Sequence, residues 1–292
     1  NLFILKDELY KYLKLDCESL FEILTKFFSQ IYFDYKLNIQ KFPTVASISL
    51  AVFRTKFLKQ SKIPILHSKV FDSIYNSYYG GIVDIYKPFG ENLFQYDCNS
   101  LYPFALLNPL PVGKPRHIIF NSPKNINDLD YFGFFRAKVN SANSTFPVLP
   151  KKSTNLFSPL GEWESWYFSE ELKFASSVGY KIELLEGYIF DSGFIFNDFI
   201  NHFYDKKANA KDSIIRNTSK LILNSLYGRF GLNPEMSDVK LVNNTELDTY
   251  LTKPTKIESF INDDYQIITT PSNRLSKTVS VCIASAVTSY AR

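Results

Sequence analysis

Cysteine is scarce: Cys17, Cys98 and Cys282 are odd in number and far apart, with no C-x-x-C pair and no Cys/His cluster. That spacing excludes a disulfide framework and a zinc site built on clustered thiols, and it fits a reducing compartment. Methionine is scarcer still, with a single Met236 in 292 residues and Asn1 at the start. An open reading frame normally begins with Met, so the expectation is a fragment of a longer protein. No apolar run approaches about eighteen residues, so no membrane span is expected. Charge is not in excess either: 33 Lys and Arg against 29 Asp and Glu leave +4. That balance permits a nucleic-acid partner without demanding one. Internal repeats and low-complexity tracts are absent.

What is present is an apolar, aromatic chain. Forty-five per cent of residues are hydrophobic, with 27 Phe and 19 Tyr, which implies a packed core rather than disorder. The excess of Phe, Tyr, Ile, Asn and Lys over Gly and Ala looks like AT-rich coding and points to an organelle or plasmid origin. The length suits two domains, or one with a large insertion.

Residues 1 to about 40 read as helix, with Leu20, Ile23, Leu24, Phe27 and Phe28 at three- and four-residue spacing. In that helix Tyr12 and Asp16 lie four apart on one face. Pro43 and Pro64 bracket a connector with a helical middle that carries Arg54, Lys56, Lys59 and Lys62. Tyr78-Tyr79-Gly80-Gly81 precedes a β-branched run, and paired glycines mark a sharp bend or a close approach. The run Asn92–Tyr96 reads as a strand that delivers Asp97. Prolines from 109 to 159 argue against long helices, then a helix capped by Ser169 and a strand from Tyr180 to Leu185 are expected. Residues 194–232 read as mostly helix, with Arg216, Lys220, Asn224 and Tyr227 on one stripe and Ile215, Ile222 and Leu226 on another. Arg and Lys one turn apart suit a polyphosphate. Gly228 and Gly231 are expected to end that helix. A polar loop to about 255, a strand from Tyr265 to Thr270 and a buried helix from Val279 to Ala291 complete the chain.

Two blocks carry a resemblance. Tyr96-Asp97-Cys98-Asn99-Ser100-Leu101-Tyr102-Pro103 and Lys220-Leu221-Ile222-Leu223-Asn224-Ser225-Leu226-Tyr227-Gly228 resemble motifs A and B of family B DNA polymerases, D-x-x-S-L-Y-P and K-x-x-x-N-S-x-Y-G. The protein-primed branch, of linear mitochondrial plasmids, phages and viruses, is the most similar. The resemblance implies an α+β fold: a palm of antiparallel sheet backed by helices, helical fingers, and the tail of an exonuclease domain. Residues 1–66 would be that tail and connector, and 67–195 the palm, with an insertion at about 105–190. Residues 196–232 would be the fingers, and 233–292 a return to the palm that stops before motif C and its second carboxylate.

By the same resemblance Asp97 and the carbonyl of Cys98 hold Mg²⁺, two ions in the complete enzyme, with Mn²⁺ an alternative. Asn99, Ser100 and Leu101 cradle the triphosphate of a deoxynucleotide, and Tyr102 packs beneath its sugar as a gate against the 2′-hydroxyl. Arg216 and Lys220 neutralise phosphate, while Asn224, Tyr227 and Gly228 border the nascent pair. Tyr78, Gly80 and Gly81 contact template and primer. Tyr12 and Asp16 match the third exonuclease motif, Y-x-x-x-D, with Asp16 a metal ligand. The other exonuclease motifs are missing, so no proofreading is expected. The implied activity is DNA-directed DNA polymerisation from a DNA or terminal-protein hydroxyl, in mitochondria. The rival is a decayed remnant that at most binds nucleic acid.

Overall fold

The computed structural model describes residues 5–59, 63–83, 85, 87–128, 130–141, 147–152, 156–232, 237–251, 254–271 and 279–292. The long amphipathic start forms helix α1, Leu5–Tyr35. Every side chain from Leu5 to Lys26 is exposed, the apolar Leu20, Ile23 and Leu24 included. Only the last turns join the core, through Ile31 and Tyr35. Thr44 and Ser47 form a capping box that starts α2, Val45–Val52, which runs into a π-helical turn at Phe53–Phe57. Helix α3 covers Ser68–Tyr75 and α4 is the single turn Leu101–Ala105.

The first strand, β1, is Leu110–Asn125, and it contains Pro111, Pro115 and Pro123. Proline removes a ladder donor, so it is tolerated at an edge or a bulge. Both conditions hold: β1 is the edge of a sheet, and its register shifts between Val112 and Arg116 and again between Ile119 and Lys124. Strand β2 is Gly133–Asn140. The two-residue strands β3 and β4, Lys151–Lys152 and Leu156–Phe157, pair with each other. Strand β5 is Glu162–Phe168, α5 is Ser169–Ser177 and β6 is Lys181–Gly193. The main sheet is antiparallel throughout, in the order β1-β6-β2-β5. Ser169 is the first helical residue of α5 rather than its cap, because its hydroxyl accepts from the Gly133 amide at 3.1 Å.

Helices α6, Asn197–Ala208, and α7, Ser213–Phe230, pack on each other; α7 also packs on α2, and α6 on the turn at Phe53–Phe57. The Ser49 hydroxyl donates to the Ile222 carbonyl at 2.7 Å and fixes α2 against α7. Tyr35 meets His202 Nε2 at 2.9 Å, and Asp34 pairs with Lys206, so the end of α1 is tied to α6.

The expected loop after Pro234 is instead largely ordered. It holds β7, Ser237–Asn243, α8, Leu247–Leu251, and β8, Lys256–Phe260; β9, Tyr265–Pro271, pairs with both strands. Helix α9, Val281–Ala291, is buried from Val281 to Ser289. Its small residues let α3, α4, α7 and β1 close around it, and its hydroxyls find partners in the surrounding loops. Ser280 donates to the Pro64 carbonyl at 2.6 Å, and Ser285 to the Ser77 carbonyl at 2.8 Å. Burial pushes the Cys282 thiol up to about 12, so this cysteine is inert filler. Among the described residues no helix is long and apolar enough to cross a membrane.

One expected strand is missing. Residues 93–97 are exposed and carry no strand, and Asn92 has left-handed backbone at φ 55°; residues 84 and 86 lie outside the described residues. A strand needs a partner for its hydrogen bonds, and among the described residues no sheet includes 93–97.

Candidate nucleotide-binding site

Helix α7 builds one wall. The Asp212 side chain accepts from the Ile214 amide at 2.8 Å and caps the helix. Ile222, Leu223 and Leu226 are buried, which leaves Arg216, Lys220 and Asn224 exposed on the opposite stripe. The other wall is the turn before α4. Ser100 sits in the left-handed region at φ 54°, which swings the chain from the exposed run into the helix. A residue before proline is disfavoured in helix, yet Tyr102 is helical. Pro103 lies in the first turn, where its missing N–H has no intrahelical partner to lose.

These walls enclose a cleft of 640 Å³ lined by Asp97, Asn99, Ser100, Lys207, Ser213, Arg216, Asn217, Lys220 and Asn224. Residues more than a hundred positions apart in the sequence thus meet in one place. Six of the nine are the residues singled out from the sequence. Lys207, Ser213 and Asn217 were not. Asn217 was findable, since 217, 220 and 224 share a helical face; Lys207 arrives from α6 and gave no local signal. Three cations face one carboxylate, so the cleft favours a polyanion. Cys98 and Leu101 do not line it.

The aromatic residues form a second unit beside the cleft. The Tyr102 and Tyr227 rings stack with centroids 4.5 Å apart and planes 3° from parallel. Tyr227 Oη lies 3.2 Å from Tyr78 Oη. Burial, then the bond to Tyr78, holds the Tyr227 phenol well above its ordinary pKa, so it stays protonated. Gly231 caps α7 without adopting left-handed backbone, and Gly228 lies inside the helix. What Gly231 provides is room, because a Cβ there would come within 2.4 Å of Tyr78 Oη. Gly231→Ala is therefore expected to displace the Tyr78 ring and break its bond to Tyr227. Urea unfolding should show a loss of roughly 1 kcal/mol, and much less in a Tyr78→Phe background.

Gly80 and Gly228 have open space where a Cβ would stand, and neither has positive φ. The protein itself does not require glycine there, so a bend is not the reason for the Gly80-Gly81 pair, and close approach from outside remains. Tyr79 is buried and meets Ser165 Oγ at 2.7 Å. Sequence reading missed the clamp around it. Arg292 donates to the Tyr79 and Gly80 carbonyls at 2.9 and 3.2 Å, and it pairs with buried Glu171 at 2.7 Å.

Tyr12 and Asp16 stand on the exposed part of α1, and neither lines the cleft. Among the described residues no three His, Cys, Asp or Glu side chains cluster as a metal site. Among the described residues lining the cleft, Asp97 is the one carboxylate beside Lys207, Arg216 and Lys220. That fits one ion shared with substrate phosphates, since magnesium needs only one or two protein carboxylates in such sites.

The model of the family "DNA polymerase type B, organellar and viral" matches residues 4–285. A "Probable DNA polymerase" of Neurospora intermedia is 40% identical over 260 residues, covering 85% of this chain and 27% of the relative. The DNA polymerase of Bacillus phage phi29 is 28% identical over 254 residues, covering 79% of this chain and 42% of the relative. Phi29 DNA polymerase complexed with primer-template DNA superposes with a TM-score of 0.65 at 20% identity, over 97% of this chain and 48% of that one. That likeness shows a shared α+β fold. The chain spans about a quarter of the length of the fungal relative.

Proposed function

The chain belongs to the organellar and viral type B DNA polymerases, and from that premise we propose that it is the nucleotide-binding centre of a DNA-directed DNA polymerase. The observation that carries the reading is the single cleft that joins Asp97 to Lys207, Arg216 and Lys220. The reaction is attack of a 3′-hydroxyl, on a DNA primer or first on a terminal protein, at the α-phosphorus of a deoxynucleoside triphosphate. A P–O bond forms, the α–β bridge breaks, the hydroxyl loses its proton and pyrophosphate leaves. Divalent ions, when bound, neutralise the phosphates and align the displacement. Asp97 provides an anionic ligand for them, and Arg216, Lys220 and Lys207 offset the triphosphate charge. Asn99 and Ser100 face the phosphates, and Asn224 and Gly228 leave space for the nascent pair. Primer and template lie along Tyr78, Gly80 and Gly81, where the missing side chains allow a strand to approach.

The composition and the organellar family support a mitochondrial, plasmid-encoded origin and a protein primer. A second carboxylate is not among the residues lining the cleft, so the 292-residue chain alone is expected to bind triphosphate without turning it over. The reading is tested by titrating a deoxynucleoside triphosphate against the chain. Lys220→Ala should raise its Kd about tenfold, the loss of one charge-assisted contact. An unchanged Kd would remove the cleft from the reaction.

A further inference from the structure

The face of α7 that turns away from the cleft carries another cationic feature. Arg229 follows Lys220 by nine residues, about half a turn round the helix. It lines a separate groove of 430 Å³ together with Arg54, Thr55, Phe42, Leu50 and Ala51. The groove is firmly built. Ser49 bonds α2 to the Ile222 carbonyl of α7, and the Thr55 hydroxyl donates to the Ala51 carbonyl at 2.8 Å.

Among the described residues no carboxylate lines this groove. The Nε atom of Arg229 is buried without a hydrogen-bond partner, and among the described residues no ion pair engages Arg54 or Arg229. Arg229 is half-buried and Arg54 exposed; a buried N–H lacking an acceptor is costly, and an oxyanion seated against these side chains relieves that cost. Two guanidinium forks from separate elements match the geometry of a phosphate. The apolar wall of Phe42, Leu50 and Ala51 adds a surface for a sugar or an unstacked base, which inorganic phosphate would not use.

We propose that this groove holds a phosphodiester of the unpaired template strand, immediately ahead of the nascent base pair. The inference rests on the polymerase reading above, because Arg229 directly follows Tyr227 and Gly228, the residues placed at that pair. Helix α7 would then separate two polyanions, with the incoming triphosphate on one face and the template on the other.

The test is fluorescence anisotropy of the chain with two labelled DNAs. One is a primer-template with a 5′ overhang of about eight nucleotides, within the usual span of a single-strand site. The other is the same duplex without the overhang. Each is titrated over a range of salt. In the Arg54→Gln/Arg229→Gln double variant, affinity for the overhang DNA should fall about tenfold. The salt slope should become shallower by about 0.7, the value for one single-strand phosphate. Blunt duplex binding should not change, and Arg54→Lys/Arg229→Lys should regain most of the slope. Thermal unfolding of each variant guards against a folding defect, and the lysine pair keeps the question open to measurement if the glutamine pair is unstable. Equal losses on both DNAs, no loss on either, or a raised Kd for free triphosphate alone would overturn the inference and leave the polymerase reading standing. Failure of the unaltered chain to bind either DNA would instead count against that reading.

Discussion

Asp97→Asn should lower the rate of nucleotide incorporation by the full-length polymerase by about 10²–10³-fold, while its thermal stability stays within about 0.5 kcal/mol. The stability half follows from exposure. Asp97 is open to solvent, and among the described residues no ion pair or side-chain hydrogen bond ties it to the fold. The rate half follows from its surroundings. It is the only carboxylate lining a cleft that also presents Lys207, Arg216 and Lys220. Asp97 would act by holding the divalent ions that offset charge on the phosphates, and losing one such preorganised group typically costs that much.

A further sign separates a metal ligand from a merely structural acid. Without divalent ions the Asp97 carboxylate repels a triphosphate, so the Asn variant should bind nucleotide slightly more tightly under chelation. With magnesium present the order should reverse. Single-turnover incorporation, paired with triphosphate titrations with and without chelator, reads both effects. Equal affinities under both conditions, with a normal rate, would strip Asp97 of this role.

How much of this was legible beforehand depended on the range of the interactions. The face pattern of helix α7 was readable because it is local: the buried Ile222 and Leu226, and the polar stripe away from them. Its start at the Asp212 cap, which separates it from α6, was not read, since 194–232 was expected to be mostly helix without a stated break. The same local legibility holds for α9, whose small apolar residues announce burial. The run before Asp97 misled because apolar and aromatic composition does not report whether a neighbouring strand exists. The prolines of β1 pointed correctly away from helix. Their tolerance in a sixteen-residue strand depended on its edge position, which is a property of the assembled sheet. The Glu171–Arg292 clamp and the contribution of Lys207 were invisible for the same reason, since each partner lies far away in sequence. Gly231 caps α7 as expected, whereas the room that it leaves for Tyr78 was not legible, because Tyr78 lies far away in sequence.

Tyr102→Val in the full-length enzyme should raise ribonucleotide incorporation relative to deoxyribonucleotide by up to about 100-fold, the usual limit for rejecting one added hydroxyl by shape alone. The size of the effect depends on how rigidly the ring is held. Tyr102 lies flat on Tyr227 at 4.5 Å, Tyr227 is anchored by Tyr78 at 3.2 Å, and Tyr78 is seated against Gly231. Each member limits the freedom of the next, so the Tyr102 ring cannot swing aside to admit a 2′-hydroxyl without losing the stack. Valine removes the ring and opens the space beneath the sugar. Tyr102→Phe keeps ring and stack and should leave discrimination intact. Tyr78→Phe loosens the support and should relax discrimination only a few-fold, within the roughly 0.5–1.5 kcal/mol worth of one hydrogen bond. The ordering Val, then Tyr78→Phe, then Tyr102→Phe distinguishes a supported steric barrier from a simple contact. Ratios of kcat/KM for matched ribo- and deoxyribonucleotides measure it, and equal ratios in all three variants would assign sugar selection to other residues.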